Sequence, residues 1–525
     1  MGSKSFETAS ADEPKFPMQE YLQEHYLEFA PNGKAIRWTH DNPRHPRNWP
    51  VWRKSYDIGL VCLLDLFMFV SFLIPLYRPK LIFSTVLRAA LQELLLPPQH
   101  DMNTSWIIPT LHFASLLWQS VGNVVFPPWT ESFGRKKLYI ISGLLSCVCC
   151  VVIGVVRSLP AAIVMRVLAG LLSAVPGTIV GGSIEDIFNA QARIWVVYFW
   201  TVASNIGLIV GPIMSSHIIE LLNWRWVFYV YALILGTITG LLCFIRESRC
   251  SLLLTHEVDI MRQEIPSLPR ALNHDHSPNM RTFIKEALFR PTQLLFQEPI
   301  IFTIAIMVSI AMSLIYIFTE AIQPIYAQMG FSAPQSSLIF MAIGLGTCFS
   351  ALTRLLDCHI FNKRRGQGIP IKPEDKLTGL AIGAPFLAVG LWWFGWTIPP
   401  LIQGPNIPWI IPTISLVFVG YALTEIDSVL YGYISDSYLS YSASATAAVA
   451  FVRGIISGVV PLFTRQMFSG LGPNIAVSVL AGIATLFCVV PPLFLCFGER
   501  IRRRSKFAGY SWQIHEELGK DVDDI

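Results

Sequence analysis

Long apolar runs separated by short polar ones organise the chain. Twelve can be marked, over residues 56–77, 106–127, 137–157, 160–182, 195–219, 225–246, 299–327, 335–356, 377–398, 408–434, 446–468 and 472–497. Each matches the roughly 20 residues that an α-helix needs to cross a hydrocarbon core. Helices are expected because lipid offers no partner to an open strand edge. A polar stretch from Glu247 to Glu298 divides the runs six and six. The pattern predicts an all-α polytopic membrane protein of twelve transmembrane helices in two six-helix bundles. Its divisions are a tail over 1–55, a bundle over 56–246, a central loop over 247–298, a second bundle over 299–497 and a tail over 498–525.

Composition agrees. Hydrophobic residues make up 53% and charged residues 14%, against about 25% charged in ordinary soluble domains. Too little polar surface remains to solubilise a multidomain enzyme of 525 residues. The formal net charge of +4 is too small, without a concentrated basic patch, to point to a nucleic-acid partner. The first fifty residues are polar and lack the features of a cleaved signal peptide, so the first apolar helix is expected to direct membrane insertion. Eight of the ten cysteines lie in apolar runs, while Cys250 and Cys358 are expected in charged loops. No second Cys pair or His follows Cys147, Cys149 and Cys150 at ligand spacing, so buried thiols are expected and no metal site. No cofactor is expected, and no phosphate-binding loop that would allow ATP drive.

Lys and Arg set the orientation. If the N-terminus is cytoplasmic, the inner loops carry Arg135-Lys136-Lys137, Arg193, the basic residues between Arg249 and Arg290, and Lys363-Arg364-Arg365. The loops after runs seven, nine and eleven carry no Lys or Arg, so both tails are expected in the cytoplasm. The first outer loop, with Arg78, Lys80 and Arg88, departs from this bias. Its Leu81–Leu95 stretch is expected along the membrane surface, and Asn103-Thr104-Ser105 is a candidate glycosylation sequon.

One spaced pattern is more specific. After run two comes Gly122-Asn-Val-Val-Phe-Pro-Pro-Trp-Thr-Glu131-Ser-Phe-Gly134-Arg135-Lys136-Lys137. Gly134 permits a tight turn, and Glu131 has basic partners nearby. Run four reads Arg166-Val-Leu-Ala-Gly170, then Gly177, Gly181, Gly182 and Asp186. Run five contains Gly207-Leu-Ile-Val-Gly211-Pro212, where small residues four apart allow close helix approach. Trp224-Arg225-Trp226 opens run six, and Pro373-Glu374-Asp-Lys376 precedes run nine. Tyr433-Ile-Ser-Asp436 ends run ten, Arg453 sits early in run eleven, and Gly498-Glu499-Arg follows run twelve. Together these resemble the major facilitator superfamily, in the version found in fungal twelve-span drug/proton antiporters, over about residues 45 to 507. The resemblance implies a proton-coupled carrier. It also implies that the turn at Gly122, Glu131, Gly134, Arg135 and Lys136 latches the two bundles in one state, and that Gly207, Gly211 and Pro212 form the antiporter-motif helix. Ser215-Ser216 stands where that motif commonly has a second glycine pair.

A proton-driven carrier needs a group that loses and regains a proton while facing each side. Carboxylates inside apolar runs are the candidates, because ionisable residues there are rare and functional by default. They are Asp65 in run one, Glu320 in run seven, and Glu425 and Asp427 in run ten. Arg166, Asn205, Tyr316, Gln323 and Tyr421 are candidates to line the substrate cavity, Arg166 as a fixed positive partner or an anion site. Carriers of this resemblance place the cavity among spans one, four, seven and ten, and each carries a polar group here. The reading is a proton-coupled exporter of amphiphilic organic compounds, such as a toxin, drug or fungal secondary metabolite. It would act as a monomer, with protons and a small organic molecule as partners in the bilayer of the plasma membrane or the vacuole. A polyamine or small-nutrient carrier of the same fold and a non-transporting membrane sensor are the alternatives. An enzyme is not expected, for want of a metal or nucleophile motif.

Overall fold

Apolar runs as long as these bury their backbone only by coiling. The computed structural model describes residues 21–29, 35–39, 41–73, 107–156, 158–266, 268–271, 289–367, 373–399, 408–438, 442–505 and 507. The first outer loop and Asn103 lie outside the described residues.

Spans one to six are the helices Val51–Leu73, Ile107–Phe133, Arg135–Val155, Leu159–Ile187, Ala190–Leu221 and Trp224–Leu242. Span seven is Pro299–Ala327, and span eight is Ala333–Leu338 followed by Phe340–Gly366. Spans nine to eleven are Thr378–Thr397, Ile410–Tyr438 and Ser442–Leu471. Span twelve runs as Pro473–Phe487 and Val490–Arg504. Ten helices among the described residues, spans three to twelve, are long and apolar enough to cross a membrane. Spans one and two cover the first two apolar runs.

Local sequence explains the helix ends. Prolines occupy the first turns of spans four, seven, eight and twelve, where a missing N–H costs nothing. Ser332 and Gln335 form a reciprocal capping box at the start of span eight, satisfying two otherwise unpaired donors. Span eight continues to Gly366, so Cys358 lies in a helix and not in a loop. Cys250 likewise opens a helix, Cys250–Glu264.

Span three illustrates the packing logic. Ile141, Leu144, Val148, Val151 and Val155 are exposed, a stripe with the three-and-four spacing of one helix face. The opposite face buries Tyr139, Ser142, Gly143, Ser146 and Cys150. Large apolar side chains outside and small or polar ones inside suit a lipid solvent, in which apolar surface gains nothing from burial.

In the first half, span one packs on five, six and four, span three on six and four, and span two on four. In the second half, span seven packs on eleven, span nine on ten and twelve, and span eight on ten. Spans two and eleven, and five and eight, join the halves. A Cβ added at Gly454 of span eleven would stand 1.8 Å from the Ser120 hydroxyl oxygen of span two, so the absence of a side chain sets this approach.

A small sheet stands outside the helical spans. A three-stranded sheet, ordered β1-β2-β3, joins Leu27–Phe29 (β1) and Ala35–Trp38 (β2) of the N-terminal tail to Arg270–Ala271 (β3) of the central loop. Strands of two to four residues carry too little alternation to be read from sequence.

Candidate functional site

Asp65 is the most completely buried of the candidate acids beside Glu425, each 0% exposed. It sits midway along span one. Its Oδ2 accepts hydrogen bonds from Trp200 Nε1 at 2.9 Å and Ser204 Oγ at 2.5 Å, both on span five. Spans one and five meet here because Gly207 has no side chain. A Cβ there would lie 2.4 Å from the Leu66 carbonyl oxygen. Gly211 and Pro212 follow on the same helix, which continues unbroken through the proline. Asp65 Oδ1 points toward Gly177 of span four and has no donor among the described residues. A buried carboxyl oxygen without a donor is unusual enough to need a reason.

Arg453 of span eleven, in the other half, is close enough to Asp65 to interact electrostatically. Arg453 Nη1 lies 3.7 Å from Asp427 Oδ1 of span ten, and its guanidinium stands 5.7 Å from the Tyr431 ring centre. Tyr316 of span seven, 1% exposed, belongs to the same charged neighbourhood. Beside Asp427 is a small cavity lined also by Asn205, Val308, Ala311, Met312, Ile315 and Leu423. Asn205 Nδ2 donates to Thr424 Oγ1 at 3.3 Å, a polar contact across the halves. The structure thus gathers Asp65, Asp427, Asn205 and Tyr316 around Arg453, at the meeting of spans one, five, seven, ten and eleven.

Glu425 points elsewhere. Two residues apart on a helix is about 200° of rotation, so Glu425 and Asp427 occupy opposite faces of span ten. Glu425 Oε2 accepts from Arg354 Nη2 at 2.6 Å, and Arg354 Nη1 also pairs with Asp357 at 2.9 Å. Gly379 of span nine makes room, since a Cβ there would lie 2.1 Å from Glu425 Oε2. Tyr421, one turn earlier, shares a 2.6 Å hydrogen bond with Thr353 of span eight. This second polar cluster ties spans eight, nine and ten.

The remaining candidates stand apart. Glu320 and Gln323 are half-buried near the far end of span seven, with Arg465 as the charge nearest to Glu320. Arg166 is buried in span four, and its carbonyl accepts from Ser115 at 3.4 Å. It precedes Gly177 by about 16 Å of helix rise.

At the end of the bundle bearing both tails, Gly134 adopts φ +83°, a conformation that favours glycine. The Arg135 and Lys136 amides then donate to Glu247 Oε1 and Oε2, each at 3.0 Å. Arg135 pairs with Asp186 of span four at 2.9 Å. Gly122 makes the approach of spans two and four, where a Cβ would lie 2.6 Å from Ala174. The Glu131 side chain lies outside the described residues. The contacts described for the turn keep it within the first half and the central loop. The second half repeats the arrangement: Lys376, just before span nine, pairs with Asp436 at the end of span ten, and Glu374 takes Arg502 at 2.6 Å.

Sequence reasoning passed over Arg354, Asp357, Trp200 and Ser204, and met Arg453 and Glu247 only as landmarks, not as site residues. Arg354 and Arg453 had a signal, because a base inside an apolar run is as costly as an acid. Trp200 and Ser204 had none.

The model of the Major Facilitator Superfamily matches residues 59–461. Efflux pump radE of Floropilus chiversii is 28% identical over 477 residues, covering 89% of this chain and 84% of that protein. Efflux pump FUB11 of Gibberella moniliformis is 30% identical over 403 residues, covering 76% and 67%. Multidrug transporter TPO1_2 of Candida glabrata is 27% identical over 482 residues, covering 89% and 78%. Among solved structures, the human organic anion transporter MFSD10 aligns with a TM-score of 0.59 at 15% identity, over 84% of this chain and 100% of that one. A D-xylose-proton symporter aligns with a TM-score of 0.57 at 15% identity, over 83% and 97%. Buried charges inside an apolar helical bundle, the two-half architecture and the match across most of the chain converge on one conclusion. The chain is a multi-pass membrane transporter, not an enzyme, and belongs to the Major Facilitator Superfamily, alongside fungal efflux pumps and multidrug transporters.

Proposed function

We propose that the protein exports amphiphilic organic compounds in exchange for protons, by alternating access between its two halves. The observation that carries this reading is Asp65: fully buried, with one carboxyl oxygen that has no donor among the described residues, near an Arg453–Asp427 pair supplied by the other half. Protons would load Asp65 and Asp427 from one side and leave to the other as the halves rock. Each transfer changes the charge set against Arg453, whose guanidinium stays protonated. The apolar lining next to Asp427 suits a cargo with little charge of its own. Relatives named as efflux pumps and a multidrug transporter support the direction.

Glu425 and Asp427 are both engaged by arginines. That speaks for an amphiphile over a polyamine, which would need several uncommitted carboxylates. The six-and-six division, both tails in the cytoplasm, the plasma membrane as the site of action and a monomeric working unit complete the proposal.

Inside-out vesicles with an imposed inward-acid gradient test it. Apolar dyes and lipophilic metabolites should accumulate in the lumen only while the gradient lasts, and Asp427→Asn should abolish this. Accumulation indifferent to the gradient, or confined to polyamines, would reject the reading.

A further inference from the structure

The central loop begins at Glu247, whose carboxylate accepts the amides of Arg135 and Lys136 and also those of Ser248 and Arg249, at 3.0–3.1 Å. Three residues on, the loop coils into Cys250–Glu264. An isolated helix of about 12–15 residues is marginal in water, and this one has a narrow apolar face of Leu254, Val258 and Met261. That face is covered by the N-terminal tail. Leu27 of β1 and Ile36 of β2, 1% and 0% exposed, pack against it in one cluster. β3 exists only by pairing with β2, Ile36 standing opposite Ala271. Polar contacts close the edges: Tyr21 donates to Glu264 at 3.0 Å, Trp38 Nε1 to the Cys250 carbonyl at 3.3 Å, and Arg44 pairs with Glu257. Burial, with Asp186 nearby, pushes the Cys250 thiol up to about 12, as expected of a group covered by this small domain.

The tail is fastened to the first half as well. Arg246 places its guanidinium 5.9 Å from the Trp49 ring centre, and its amide donates to Asp57 at 3.4 Å. Tail, loop helix and first half thus hold both sides of Glu247.

We propose that tail residues 21–29, 35–39 and 41–49 are a positioning element for the Gly134 turn: by folding over the loop helix, they keep the Glu247 carboxylate on the first amides of span three, and turnover depends on it. The tail acts through Glu247 and touches no cargo. Its loss therefore changes how fast the halves exchange and leaves binding intact.

The test is hydrogen–deuterium exchange on the full-length protein in lipid nanodiscs, followed by transport in liposomes. Ile36→Asp places a charge in the covered cluster. It should speed exchange of the loop helix, and of the Arg135 and Lys136 amides by at least about tenfold, which corresponds to about 1.4 kcal/mol of lost protection. Glu247→Gln should speed exchange at the two amides alone, and the double variant should go no further than the faster single one. Maximal transport rate should fall in parallel, at an unchanged half-saturating concentration. Trp38→Ala, which removes the indole hydrogen bond and its packing on the cluster without burying a charge, provides the same readouts should Ile36→Asp fail to fold. A freed loop helix with wild-type exchange at Arg135 and Lys136 would overturn the proposal. So would effects that multiply in the double variant, or an unchanged maximal rate.

Discussion

Arg354→Gln is expected to lower stability by about 3–5 kcal/mol, the loss typical of removing one partner from a buried ion pair. Glu425, 0% exposed, and Asp357, 4% exposed, would both lose the cation that compensates them. Water cannot reach them to take its place. The pair itself is not a large source of stability, since desolvation offsets most of its attraction. What the variant exposes is the cost of an uncompensated charge. Restoring neutrality should therefore recover part of the loss, and Arg354→Gln with Glu425→Gln should melt above Arg354→Gln alone. Thermal unfolding in detergent reads both. A single variant that melts with the wild-type protein would show that the cluster of spans eight, nine and ten is not structural.

Asp65→Asn is expected to leave the fold intact and remove uphill transport. The amide oxygen of asparagine can still accept from Trp200 and Ser204, so the ties between spans one and five survive. What disappears is the exchangeable proton. One-for-one exchange converts each pH unit of gradient into about 1.4 kcal/mol, a factor of ten in cargo ratio. Across a gradient of about two units, accumulation should fall about 100-fold, to equilibration. Cargo binding measured without a gradient should persist. Undiminished accumulation by Asp65→Asn would move the proton site elsewhere, with Asp427 and Glu425 next in line.

The fold was largely legible because lipid leaves a chain few choices. Runs as long and apolar as 299–327 have one stable form in a bilayer, and the structure returns it as Pro299–Ala327. The glycines of span five were readable as close approaches, though not the atoms they would meet. The site was legible by residue type and only partly by grouping. Asp65 and Asp427 both lie near Arg453, a common neighbour that sequence distance hides. Glu425 sits two positions from Asp427 and belongs to another cluster, because two positions on a helix mean opposite faces. The tail-end turn was recognisable from Gly134, yet its acceptor, Glu247, lies 112 residues from Arg135. The cap formed by the tail was not readable at all. Its strands are too short to show a period, and its stability comes from pairing segments far apart in the chain.

The central claim is that cargo and protons move in opposite directions, with Asp65 as a proton holder the exchange cannot do without. Purified protein in liposomes that enclose a pH-sensitive dye tests this most directly. Adding an amphiphilic cargo to one side should drive protons out of the other compartment, with a fixed ratio to the cargo taken up. Asp65→Asn should bind the cargo and move no protons. Cargo flux with no proton counterflow in the wild-type protein, or full counterflow in Asp65→Asn, would contradict the account.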